Sequence, residues 1–342
     1  ANTYKVGWDG NAEEYKTYLE KTFKETKVPV EVVDDDGPII EPTFKAWWGV
    51  PDMPKINFKN DGARQWALDV TEHWIKNFDI DGWRMDVAKE LDFSFWKDFR
   101  DVAYSAKKDI LLISEIFGDT SQWLQGERFD GTMNYSFRET MTDYFATKRI
   151  DNKEFANSLA NLYSMYSFEA LSSCQNLLSS HDVKRFLNRC GANTDGMFGA
   201  IFLQATFPGI AGIYYGDEIG LGGADDPFNR EPFPWESEDK WNKDLLKFTS
   251  ELMNIKTSQP ILRYGNFEMV TYDDNYVIFR RVLNDESLLC IVNRDLNNKD
   301  IELNTNAHSV DMVYGDCSIE LDSGKLKITD IADNFGLIIK ES

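Results

Sequence analysis

The chain lacks any long apolar run, and no window approaches the roughly 20 consecutive apolar residues that a membrane-spanning helix needs. Its first residues, ANTYKVGWDG, carry neither the basic nor the apolar region of a secretory signal, so nothing in them supplies an address. Cysteine is scarce: four in 342 residues, at Cys174, Cys190, Cys290 and Cys317. No pair has C-x-x-C spacing, so neither a zinc site nor a disulfide framework is expected, and the four read as buried free thiols. Positive charge is also short. Against 58 Asp and Glu stand 37 Lys and Arg, with three His, for a formal net charge of −21. Nucleic acids and anionic membranes attract cations, so both are poor partners for this chain. Neutral ligands suit it better.

What is present suffices for one large domain and a smaller one. Residues 1–60 are mixed: a polar, helical-looking NAEEYKTYLEKTFKE, an acidic DDDG turn, then AWWGVPDMPKINFKN, broken by proline and glycine. From Asp61 the pattern sharpens, with Trp66, Val70, Trp74 and Phe78 forming an i, i+4 stripe that predicts an amphipathic helix. Short apolar runs then recur: IDGWRMD, ILLISE, FDGTMNY, QNLLSSHD and GIAGIYYGDE. Helical segments such as FSFWKDFRDVAYSAK, NKEFANSLANLYSMY and MFGAIFLQATF separate them. Strands alternating with helices imply parallel β-α units over 61–260. Beyond Pro260 the texture changes to alternating apolar and polar residues (YVIFRRV, LLCIVNR, IELNT, LKITDI, GLIIKES), which predicts an antiparallel β-sandwich over 261–342.

In three of the apolar runs the closing acidic residue is a candidate for chemistry. In IDGWRMD, Arg84 and Asp86 share one strand face, so a fixed cation sits beside a carboxylate and favours its charged form. ILLISE ends in Glu115, whose apolar approach disfavours ionisation and raises its pKa toward that of a working acid. QNLLSSHD ends in His181 and Asp182. Carboxylates at the C-terminal ends of parallel strands sit where α/β barrels build active sites. Taken alone, any one of them also reads as a helix cap or a surface ion pair. Retaining glycoside cleavage needs one carboxylate as nucleophile, one carboxylic acid, and further groups to hold sugar hydroxyls. The set meets that demand.

The segments DGWRMDVAKE, SEIFGD, LLSSHDVKRFL and GIYYGDEIGLGGADDPFNREPFPWE resemble the signature motifs of α-amylase-superfamily glycoside hydrolases, in particular the neopullulanase, cyclomaltodextrinase and maltogenic amylase group. The resemblance runs from about residue 46 to the end. It implies Asp86 as nucleophile, Glu115 as acid/base, Asp182 as transition-state stabiliser, Arg84 as support for the nucleophile and His181 as a hydroxyl-binding donor. Lys89, Glu90, Phe117, Asp226 and Arg230 are implied as outer substrate contacts. Where the group usually reads Val-Ala-Asn-Glu, this chain has Val87-Ala88-Lys89-Glu90, and Phe117 stands where tryptophan is common. Preference between α-1,4 and mixed α-1,4/α-1,6 bonds is therefore left open.

The resemblance also implies a fold class: α/β, a partial (β/α)8 TIM barrel holding strands four to eight, followed by the C-terminal β-sandwich. The aspartate and histidine motif of the family's third strand has no counterpart before residue 80, and residues 1–60 are too polar for three buried strands. A second polypeptide supplying the N-terminal barrel strands is thus the expected partner, beside an α-glucan oligosaccharide substrate. No cofactor is required for the chemistry, and a structural calcium is compatible with the family. The expected function is a retaining α-glucan hydrolase. Its rivals are a catalytically silent amylase-like scaffold subunit and a transglycosidase. Trp66, Trp74, Trp96 and Phe99, at helical spacing, are expected in the core; Trp47, Trp48 and Trp235, in loop-like contexts, are expected to touch carbohydrate.

Overall fold

The protein is described by a computed structural model at residues 32–33, 39–40, 45–47, 50, 53–292, 300–331 and 335–342. The expected helix in NAEEYKTYLEKTFKE and the loop residue Trp48 lie outside the described residues. Residues 1–74 and 75–342 form separate compact units. In the first, β1 (Val32–Val33) pairs antiparallel with β2 (Ile39–Ile40), and helix α1 (Asp61–Phe78) begins.

The second unit opens with alternating strands and helices: β3 (Gly82–Met85), α2 (Phe93–Ala106), β4 (Leu111–Ser114), β5 (Gly131–Thr132), α3 (Tyr135–Met141), α4 (Asn152–Ser164), α5 (Phe168–Ser173), β6 (Gln175–Leu177), α6 (Phe186–Arg189), α7 (Asp195–Thr206), β7 (Ile210–Gly212), α8 (Lys243–Ser258) and α9 (Pro260–Tyr264). Parallel pairing joins β3 to β4, β4 to β5, and β6 to β7, and a parallel bridge from Met133 to Gln175 links the two groups. Five parallel strands thus follow one another in chain order, matching the five apolar runs. Gly131 explains how closely β5 approaches its neighbour: a Cβ there would lie 2.1 Å from the Ser173 carbonyl oxygen.

Local chemistry sets the helix starts. Asp92 accepts from the Phe95 N–H at the start of α2, and Asp151 with Glu154 forms a reciprocal capping box on α4. Helix α7 is apolar nearly all round, and from Gly199 to Thr206 every residue is buried, as expected of a helix inside a core.

The C-terminal strands are β8 (Asn266–Tyr272), β9 (Val277–Leu283), β10 (Glu286–Val292), β11 (Ile301–Asn304), β12 (Val310–Tyr314), β13 (Ser318–Asp322), β14 (Lys325–Thr329) and β15 (Gly336–Glu341). They form two antiparallel sheets, β12-β15-β10-β9-β8 and β11-β14-β13. The larger sheet has both faces covered. Phe279, Leu288, Cys290 and Ile338 join the helical core, while Ile278, Leu289, Ile291 and Ile339 meet Leu326 and Ile328 of the smaller sheet. This double burial is why LLCIV is a continuous apolar run rather than an alternating one. Two buried basic side chains meet at the end of α7, Lys256 from helix α8 and Arg281 from strand β9 of the larger sheet. Lys256 Nζ donates to the carbonyls of Ala205 and Phe207, and Arg281 donates to those of Thr206 and Gly265. Three of these carbonyls lie at the C-terminal end of α7, where a helix leaves acceptors unsatisfied.

Two expectations need correction. Trp96 and Phe99 are buried, but Trp66 and Trp74 are 58% and 44% exposed. An apolar stripe marks a face fit for burial without specifying what covers it. All four cysteines are free, yet only Cys174 and Cys290 are fully buried; Cys190 and Cys317 are half-buried. Burial pushes the thiols of Cys174 and Cys290 up to about 12, so they pack as apolar groups.

Candidate active site

The strand ends converge. Arg84, on β3, extends Nη1 to Asp86 Oδ1 at 2.7 Å and Nη2 to Glu115 Oε1 at 2.5 Å, and the same Nη2 lies 3.9 Å from Asp182 Oδ2. One guanidinium therefore spans all three acids. The expected Arg84–Asp86 contact is present, and Glu115 and Asp182 are additional neighbours of the same guanidinium. Its Nε points at Met133 Sδ, 3.4 Å away, which sets the plane of the fork.

Glu115 immediately follows β4 and is 6% exposed. Its second oxygen accepts from the Val87 N–H at 3.1 Å. Val87 adopts a left-handed backbone, φ 45°, costly for a β-branched residue on the order of 1–3 kcal/mol. That conformation turns the N–H toward the acid. Burial pushes Glu115 from 4.5 up to about 7; Asp182 and Asp86 push the same way, while Val87 N–H and Arg84 oppose them. The carboxyl is thus poised to carry a proton near neutral pH.

Asp182 lies on the loop between β6 and α6. His181 Nε2 is 3.0 Å from Asp182 Oδ2, and Arg230 Nη2 is 3.7 Å from Oδ1. Asp226 holds Arg230 at 2.7 Å, so this outer pair reaches the central cluster. Lys89 and Glu90 occupy the 3-10 turn Ala88–Glu90 just after Asp86, Lys89 exposed and Glu90 half-buried. Phe117 is 50% exposed and stacks on Tyr135, with centroids 3.8 Å apart. Trp235 is 71% exposed, tilted against Phe233 and edge-on to Trp241.

Sequence reasoning missed three residues that touch the acids or their supports: Val87, Met133 and Tyr135. Tyr135 hydroxyl meets Ser180 Oγ at 3.2 Å, and Ser180 Oγ also accepts from the Asp182 N–H. The FDGTMNY run contained Met133 and Tyr135, but neither residue type announces a role in an acidic site.

Among the described residues, Glu115, His181 and Asp182 bring metal-ligating atoms within 4.8 Å of one another. Calcium takes six to eight oxygen ligands, and a trio that includes an imidazole fits it poorly. A guanidinium-bridged set of carboxyl groups, one with its pKa raised toward neutrality, is suited instead to proton transfer and to stabilising developing positive charge.

These features gather three acidic groups, one with a raised pKa, at the C-terminal ends of parallel strands. The chain belongs to the α-amylase family, its residues 43–260 matching the alpha amylase catalytic domain. It is 36% identical over 255 residues to a cyclomaltodextrinase of Geobacillus thermopakistaniensis (strain MAS1), covering 74% of this chain and 43% of that protein. It is 39% identical over 246 residues to neopullulanase 2 of Thermoactinomyces vulgaris, covering 71% and 42%. Its structure resembles the native Nostoc punctiforme debranching enzyme with a TM-score of 0.81 at 28% identity, over 92% of this chain and 68% of that one. The chain spans less than half the length of these two curated relatives.

Proposed function

We propose that the chain carries the catalytic centre of a retaining α-glucan hydrolase that cleaves α-1,4, and in some substrates α-1,6, glucosidic bonds in maltooligosaccharides, cyclodextrins or pullulan. The observation that carries this reading is the single Arg84 fork bonded to both Asp86 and Glu115. One guanidinium bonded to both acids holds the two carboxyl groups as close neighbours, which supports the retaining arrangement over the wider spacing an inverting pair needs. In this reading Glu115 protonates the departing glycosidic oxygen while Asp86 attacks the anomeric carbon and forms a glycosyl ester. Glu115, now a carboxylate, then takes a proton from the water that hydrolyses the ester. Asp182 and His181 grip sugar hydroxyls as positive charge builds on the ring. Arg84 orients both reacting carboxyl groups, and Phe117, Lys89, Glu90, Asp226 and Arg230 contact flanking sugars.

The five parallel strands are assigned as the fourth to eighth staves of a (β/α)8 barrel, with the remaining three supplied by polypeptide outside these 342 residues. Open sheet edges are a liability that a closed barrel removes, which supports this assignment. Structural calcium would need donors other than the Glu115, His181 and Asp182 trio.

The test is release of reducing sugar from cyclodextrin, pullulan and maltotriose by the chain with its barrel complete, with the anomer of the first product followed by NMR. An α-anomer supports retention; a β-anomer rejects it, and no turnover at all favours the silent scaffold. Transfer products on maltotriose would mark a transglycosidase.

A further inference from the structure

We infer that Asn229 is a positioning residue that latches the loop carrying Asp182, fixing that carboxylate where the reaction needs it. The inference rests on the hydrolase reading for its kinetic consequence, but the latch itself is geometric. Asn229 is fully buried in the 3-10 turn Phe228–Arg230. Its Nδ2 donates to the carbonyls of His181 at 2.9 Å and Val183 at 3.0 Å, and approaches that of Ser180 at 3.4 Å.

Those carbonyls bracket Asp182. His181 O belongs to the peptide group preceding it and Val183 O to the residue following it, so one amide fixes the backbone on both sides of the carboxylate-bearing residue. The orientation of the amide follows from its surroundings, because an oxygen turned toward three carbonyls would be repelled. The neighbouring residue adds to the hold. Arg230 Nε donates to His181 O at 3.0 Å while its Nη2 faces Asp182.

Other bonds hold the loop at its ends, where Arg138 donates to the carbonyls of Leu178 and Lys184, while Asn229 holds its centre. The Asp182 carboxylate meets His181 Nε2 of its own loop at 3.0 Å, and Arg84 and Arg230 from outside it only at 3.9 and 3.7 Å, so its place depends on the backbone beneath it. A carboxylate displaced by about 1 Å loses on the order of a hundredfold in rate, because its value lies in meeting charge that develops at one point.

The decisive variant is Asn229→Asp, nearly identical in shape but presenting an oxygen to three carbonyls. With the barrel complete, its kcat on maltotriose should fall about a hundredfold while KM stays within about threefold. Asn229→Ala, which leaves room for a water to bridge the carbonyls, should fall about tenfold. Hydrogen exchange at the 180–184 amides should quicken in both variants while exchange in the β-sandwich stays unchanged. Unaltered exchange in the loop, or losses confined to KM and melting temperature, would overturn the inference. If wild type itself releases no sugar, the hydrolase reading fails, and the exchange measurement alone still decides the latch.

Discussion

Replacing Glu115 with glutamine removes the proton donor while leaving the side chain's outline almost intact, and its consequences can be worked from the site. The native carboxyl titrates near 7 instead of 4.5. At ~1.4 kcal/mol for each tenfold change in proton affinity, the surroundings favour the protonated form by about 3 kcal/mol. Wild-type kcat/KM should therefore decline tenfold per pH unit above about 7, since that parameter reports the free enzyme's acid. Glu115→Gln should lower kcat on cyclodextrin by about 10²–10⁴ and abolish the alkaline limb. An aryl maltoside whose phenolate leaves without a proton should lose far less in the first step. The assay is initial rate against pH for both substrates, in both proteins, with the barrel complete. An alkaline limb near 4.5, or equal losses on the two substrates, would refute the assignment of Glu115 as acid.

Removing the guanidinium in Arg84→Met should lower kcat/KM at least a hundredfold, judged against breaking a partly buried charge-assisted network, and should move the remaining alkaline limb above 7, because Arg84 lowers the Glu115 pKa. Rate-pH profiles read both effects. Lys256 tests the interior. Burial holds its ammonium down to about 7 from 10.5, so between those values the unfolded chain binds more protons and this group makes stability rise with pH. Melting temperature followed from pH 7 to 10 should show that rise in wild type and lose it in Lys256→Met. Gly131→Ala forces a Cβ against the Ser173 carbonyl oxygen and should cost roughly 3 kcal/mol or prevent folding, measured by denaturant unfolding.

The elements with strong periodicity were legible from the chain alone. Helices α2, α4 and α7 fall where their apolar spacing put them, and each apolar run contains one short parallel strand. The acids at the ends of IDGWRMD, ILLISE and QNLLSSHD were visible because a carboxylate closing an apolar strand is an unusual local event. Other features depend on approach between distant segments. That Arg84 bridges Glu115 as well as Asp86 depends on parallel pairing of β3 with β4 in the register Arg84 to Ile113. Val87 carries no signal, since a β-branched residue is among the last expected in a left-handed conformation. Asn229, 47 residues after Asp182 in the chain, looks like an ordinary turn residue until its loop folds back. The exposure of Trp66 was equally hidden, because periodicity describes a face and not its neighbour.

The two cations at the end of α7 bear on how such a chain can be recombined. Arg281 sits on β9 and Lys256 on α8, and between them they complete the carbonyls of Ala205, Thr206 and Phe207, just before the last parallel strand begins. The sandwich is therefore no detachable tail. Trimming it away, or grafting on a foreign β module without an arginine at the matching place, would strip a helix terminus of a donor in a site closed to water. Chimeras cut between α9 and β8 inherit that defect, whereas a graft that transfers Arg281 with α8 and its lysine keeps the joint whole.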